Sequence, residues 1–129
     1  MDRPWETEPD CGTWYDPETD LRCLIERSSA GHLCGYVEVD DRHPLYFADC
    51  DDPRVQALDV HGGVTYAGTA GDKWLIGFDC AHLGDLTPWM HEHGKTAPCC
   101  ELFPAPVYRD WGYVTEQCRL LARQLAAMA

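Results

Sequence analysis

The sequence predicts an α+β domain: a small antiparallel sheet of about four strands in two hairpins, covered on one face by a C-terminal amphipathic helix. Three observations predict it. Two alternating apolar runs flank the turn-like SSAGH, a second pair flanks the glycine-containing GTAGD, and the end of the chain carries apolar residues at a 3-4-3-4-3 spacing. At 129 residues, with 45% hydrophobic and 25% charged side chains, the chain is sized and composed as one folded domain and is unlike a disordered segment.

Residues 1–20 are rich in Pro, Glu, Asp and Thr and read as an irregular arm, with Trp5, Trp14 and Tyr15 available to pin it. Residues 21–82 are read as the sheet. Pairing 21–27 with 33–39 sets Leu21, Cys23 and Ile25 beside Val39, Val37 and Gly35, which makes one face apolar. Residues 40–55 form a connection broken by two prolines, with one helical turn after Pro53. Its Asp40, Asp41, Asp49, Asp51 and Asp52 lack the ligand spacing and central glycine of a calcium loop, so they read as a solvated acidic surface.

Residues 58–82 read as the second hairpin, with GTAGD as a five-residue loop. Strand alternation turns Val60, Val64 and Tyr66, and Trp74, Ile76, Phe78 and Cys80, toward the core. A loop is expected over 83–109. Apolar residues at 111, 114, 118, 121, 125 and 128 then make a helix over 110–128 that covers the sheet, with Asp110 as N-cap.

The opposite face of the second hairpin is where chemistry is expected. Alternation turns Asp59, His61, Gly63 and Thr65 outward on one strand and Lys73, Leu75, Gly77 and Asp79 on the other, and a pairing sum of about 140 sets His61 across from Asp79 and Gly63 across from Gly77. Facing strand glycines mark a place where something approaches the backbone closely. The expected pocket is therefore floored by Gly63 and Gly77 and edged by His61 and Asp79, with Gly62 and Tyr36 as further candidate ligand-binding residues. Within it His61 acts as base and Asp79 orients its ring. A surface His-Asp pair beneath a packed arm is the structural alternative.

Zinc-type donors also gather there: His61, Cys80, His82 and Asp85. Alternation sends Cys80 inward, so these four meet one ion only if the chain turns sharply after Cys80, and a core thiol is the alternative for it. A thiolate from Cys34 or Cys80 with His61 as base is a third arrangement. His91 and His93 in WMHEHG read as a solvated loop pair. Of the eight cysteines none form a CxxC pair, which removes the zinc-ribbon reading, and Cys99 and Cys100 are adjacent and cannot easily share one cavity.

Twenty-two acidic against ten basic residues give a net charge of −12, which disfavours direct contact with a phosphate backbone and either serves solubility alone or suits a basic protein surface, a nucleic-acid-binding protein or a cation. The N-terminus lacks a secretory leader and no apolar run reaches membrane-spanning length, so a cytosolic location with reduced thiols is expected.

With these residues in hand, the chain resembles a family of small bacteriophage and prophage proteins that carry CGYV, HPLY, HGGxTY, WxxGFDCAHxGD and a late YRD before a helix. The matching segments are residues 34–37, 43–46, 61–66, 74–85 and 108–110. The resemblance implies a viral accessory protein that binds a host protein, sequesters a small nucleotide-like signal, or degrades one. Binding without catalysis is the first reading, with a metal-dependent or His/Asp-based hydrolase and a structural protein as alternatives.

Overall fold

Strict alternation builds the centre of the sheet. In the computed structural model, which describes residues 3–94 and 105–129, β1 (Cys11–Tyr15), β2 (Arg22–Arg27), β3 (Leu33–Val39), β4 (Tyr66–Ala70) and β5 (Lys73–Asp79) form one antiparallel sheet in the order β1-β2-β3-β5-β4. The first hairpin has the expected register, with Cys23 opposite Val37 and Ile25 opposite Gly35. Cys23, Ile25, Val37, Ile76 and Phe78 are buried on its inner face.

Five strands replace the four expected, because residues 11–15 of the arm pair with β2 from Cys11 opposite Glu26 to Tyr15 opposite Arg22. No residue of β1 is buried, so an edge strand held by backbone pairing carried no apolar alternation to read. The arm is pinned by polar contacts as well as by aromatics. Glu8 accepts from Tyr108 Oη at 2.6 Å and from the Trp111 N–H at 2.8 Å, and its neighbour Trp5 packs edge-on against Tyr108. Trp14 reaches the core, whereas Tyr15 stands exposed.

The C-terminal helix α3 (Trp111–Met128), numbered after two short helices, begins as expected: the Asp110 carboxylate accepts from the Tyr113 N–H at 2.8 Å. Val114, Cys118, Leu121, Ala122 and Leu125 are buried, and the helix lies across β2 and β3. Each fully buried leucine of that seam contributes about 1.5–3 kcal/mol. At its far end the Leu125 carbonyl, one of the four with no intrahelical donor, accepts from His43 Nε2 at 2.8 Å, while His43 Nδ1 accepts from the Leu45 N–H at 3.0 Å.

The single turn after Pro53 is α1 (Pro53–Gln56), capped by Asp52. The stretch expected to be loop contains α2 (Pro88–Glu92), which starts at a Thr87 cap and holds His91. Cys99 and Cys100 lie outside the described residues. Among those described, no helix is long and apolar enough to cross a membrane.

The second hairpin differs from expectation. Its turn is the two residues Gly71 and Asp72, with Gly71 at φ +64°, and Tyr66 faces Gly77. β4 therefore starts only at Tyr66, and the segment before it, still buried at Val60 and Val64, is a turn and not a strand. Tyr66 itself is exposed.

Candidate metal centre

The turn over residues 60–63 carries the first functional side chain. It is closed by the Gly63 N–H on the Val60 carbonyl at 2.8 Å, and Gly62 and Gly63 hold φ of +68° and +82°, which glycine adopts at little cost. The helix holds this turn from outside: Gln117 Oε1 accepts from the His61 N–H at 2.9 Å, and Gln124 exchanges two hydrogen bonds with the backbone of Asp59. His61 is thereby aimed along α3, its Nδ1 2.8 Å from Tyr113 Oη and its Nε2 2.8 Å from Asp85 Oδ2.

The chain does turn sharply after Cys80. His82 and Asp85 close on each other twice, through the Asp85 N–H to the His82 carbonyl at 2.9 Å and the His82 N–H to Asp85 Oδ2 at 3.0 Å. A parallel bridge from Asp85 to Val107 brings in the segment before α3, from which Arg109 donates its Nε–H to Asp85 Oδ1 at 2.8 Å. The Asp85 side chain is 1% exposed and surrounded by donors. Burial pushes its carboxyl up, but the bonds from Arg109, His61 and the His82 N–H outweigh it and hold the group below the usual carboxylate range.

His82 completes the group. Its ring lies on Gly62: a Cβ there would sit 2.2 Å from Cε1 and 2.4 Å from Nδ1, so only glycine admits the imidazole. Nδ1 is buried without a hydrogen-bond partner, 3.5 Å from Asp85 Oδ2 and from Asp79 Oδ1. Donor atoms of His61, His82 and Asp85 all lie within 4.8 Å of one another. A tetrahedral zinc ion about 2.0–2.1 Å from each donor needs them about 3.3 Å apart, and the His61–Asp85 and His82–Asp85 separations of 2.8 and 3.5 Å bracket that value. With His61 bound through Nε2, its Nδ1–H would donate to Tyr113 Oη, the outer hydrogen bond that fixes a ligating ring.

Other expected site residues fall elsewhere. His61 does not face Asp79, because the register puts Asp79 opposite Cys34 on β3; Asp79 Oδ1 instead accepts from the Ala81 N–H at 3.4 Å and lies 3.5 Å from His82 Nδ1. Gly77 floors no pocket with Gly63: it is buried beneath the Tyr36 ring, within 2.9 Å of a would-be Cβ, and Tyr36 in turn packs against Tyr66. Gly63 lies off the sheet. Cys80 points into the core, 1% exposed, apart from the three gathered donors, and burial pushes its thiol up to about 12. Burial and the nearby Asp79 push Cys34 up to about 11. His93 stacks on Trp89, and His91 packs against Trp5, so these two do not form a ligand pair.

Sequence reasoning missed Arg109, Tyr113 and the two glutamines. Tyr113, Gln117 and Gln124 recur at the i, i+4, i+11 spacing of one helical stripe beside the apolar seam, which was the available signal. Comparison with family models, characterised proteins and solved structures finds no match for the chain.

Proposed function

We propose that this protein is a small metal-dependent hydrolase that binds a divalent transition-metal ion of the zinc class through His61 Nε2, His82 Nδ1 and Asp85 Oδ2. The carrying observation is the buried, unpartnered His82 Nδ1, held against two carboxylates by a glycine that makes room for its ring. A buried polar atom without a partner costs about 1–3 kcal/mol, and a cation among two imidazoles and a carboxylate removes that cost. Three protein donors leave one position open, which is the arrangement of catalytic and not structural zinc. There the ion supplies Lewis acidity. The chain's own residues orient the donors: Tyr113 holds His61, Arg109 holds Asp85, and Gly62 seats His82.

Zinc titration of protein purified without a histidine tag tests this. One equivalent is expected, with the stoichiometry lost in His61→Ala and His82→Ala and with hydrolysis of activated esters following the bound metal. No uptake by the folded wild-type chain refutes it.

A second reading has its own observation. All eight arginines lie within 4.0 Å of a carboxylate, in a chain where acidic residues outnumber basic ones 22 to 10. The surplus carboxylates favour capture of a basic partner, as a phage accessory protein acting on a host factor would require. Asp52 is already engaged as a helix cap and with Arg54, so Asp41, Asp49 and Asp51 are the residues to neutralise. Salt-dependent binding to a purified basic host protein should weaken in that triple Asn variant. Undiminished binding removes the reading.

A further inference from the structure

Arg109 differs from the other arginines. Arg27, Arg54, Arg119 and Arg123 each commit at least one terminal nitrogen together with Nε, and Arg3, Arg22 and Arg42 bond through a terminal nitrogen. Arg109 is held by Nε alone, at 2.8 Å from Asp85 Oδ1, and among the described residues no protein atom accepts from its two terminal nitrogens. The guanidinium also rests over the Tyr113 ring, 5.2 Å from its centroid, and keeps 28% of its side-chain surface exposed. Two contacts fix its plane and, among the described residues, leave its outer fork open.

We propose that this fork binds the phosphate group of the substrate, so that the hydrolase reading above, on which this rests, becomes a phosphoesterase. The stoichiometry of oxygen atoms favours phosphate over carboxylate. An end-on guanidinium takes two oxygens in parallel bonds, and an ion held by the other side of Asp85 takes a third. A phosphate monoester supplies three non-bridging oxygens, whereas a carboxylate, like a phosphodiester, has two. Pairing a fixed arginine with a metal ion is also what stabilises charge building on a phosphoryl group. The chain's net charge of −12 does not forbid this. Fields from exposed carboxylates are screened over about 8 Å at physiological salt, so inside the site the local cations decide.

The test uses the full chain loaded with cobalt(II), whose visible spectrum reports changes at the metal, titrated with inorganic phosphate and separately with acetate. Phosphate is expected to perturb the spectrum and bind at least tenfold more tightly than acetate. That preference should collapse in Arg109→Gln and survive in part in Arg109→Lys, which keeps the charge and loses the fork. Should Arg109→Gln fail to fold, the lysine variant alone decides: it must bind phosphate more weakly than wild type. A wild-type chain that takes up no metal overturns the hydrolase reading together with this one. A chain that binds metal but favours phosphate no more than acetate, or whose arginine variants bind phosphate as wild type does, overturns this inference alone.

Discussion

Replacing Gly62 by alanine perturbs the candidate metal centre without removing any donor atom. The added Cβ would lie 2.2 Å from His82 Cε1, against an ordinary contact of 3.4 Å or more, so the ring must retreat by about 1.2 Å. Ligand geometry tolerates only about 0.5 Å. The backbone at φ +68° adds roughly 1–2 kcal/mol of left-handed strain. Gly63→Ala separates these two effects, because Gly63 has φ +82° but no atom within 4 Å of its would-be Cβ. Both variants should lose Tm by roughly 3–10 °C, from about 3–5 °C per kcal/mol at this chain length. Only Gly62→Ala should lose zinc affinity, by about 10–100-fold, the loss typical when a ligating ring is misplaced. Thermal melts and competition with a zinc-binding dye measure the two quantities. Equal zinc affinity in the two alanine variants would refute the claim that Gly62 seats His82 as a ligand.

Arg27→Met should destabilise the fold by about 1.5–3 kcal/mol and release the arm to proteases, since the half-buried Arg27 bonds to Glu8, Asp10, Tyr108 and the Gly31 carbonyl; denaturant melts and limited proteolysis check both. In the metal-free protein, the depressed Asp85 carboxyl contributes stability that is fully present above the ordinary carboxylate value of 3.8 and is lost as pH falls below it. Asp85→Asn should therefore be less stable at neutral pH and lose less on acidification, and parallel curves for the two proteins would contradict this. Native alkylation at pH 8, mapped by peptide mass, should modify exposed Cys11 well before Cys23 and Cys80, whose thiols burial pushes up to about 12. Early labelling of Cys80 would argue that the core opens there.

The first hairpin and the helix were legible because each has one buried face and a local signal: Cys23 and Ile25 alternate against Val37 across a short loop, and Asp110 caps a regular seam. The second hairpin misled because Val60 and Val64 are buried from a turn, where parity carries no meaning, and the parity reading extended the strand back through His61. His61, His82 and Asp85 were identified as donors by residue type. Their meeting depended on two turns that positive-φ glycines permit, and on Gln117, Tyr113 and Arg109 arriving from the far end of the chain. Asp79 and Gly77 were assigned through a register displaced by three residues, which explains why neither is where a facing pair would be.

The His61 turn is strapped to the last helix by Gln117 and Gln124, and Asp85 is clasped by a residue just ahead of that helix. Nothing in the first ninety or so residues can therefore assemble the three donors in order before the C-terminus has docked. If these donors hold the proposed ion, its uptake would follow the docking of α3 and would report that step.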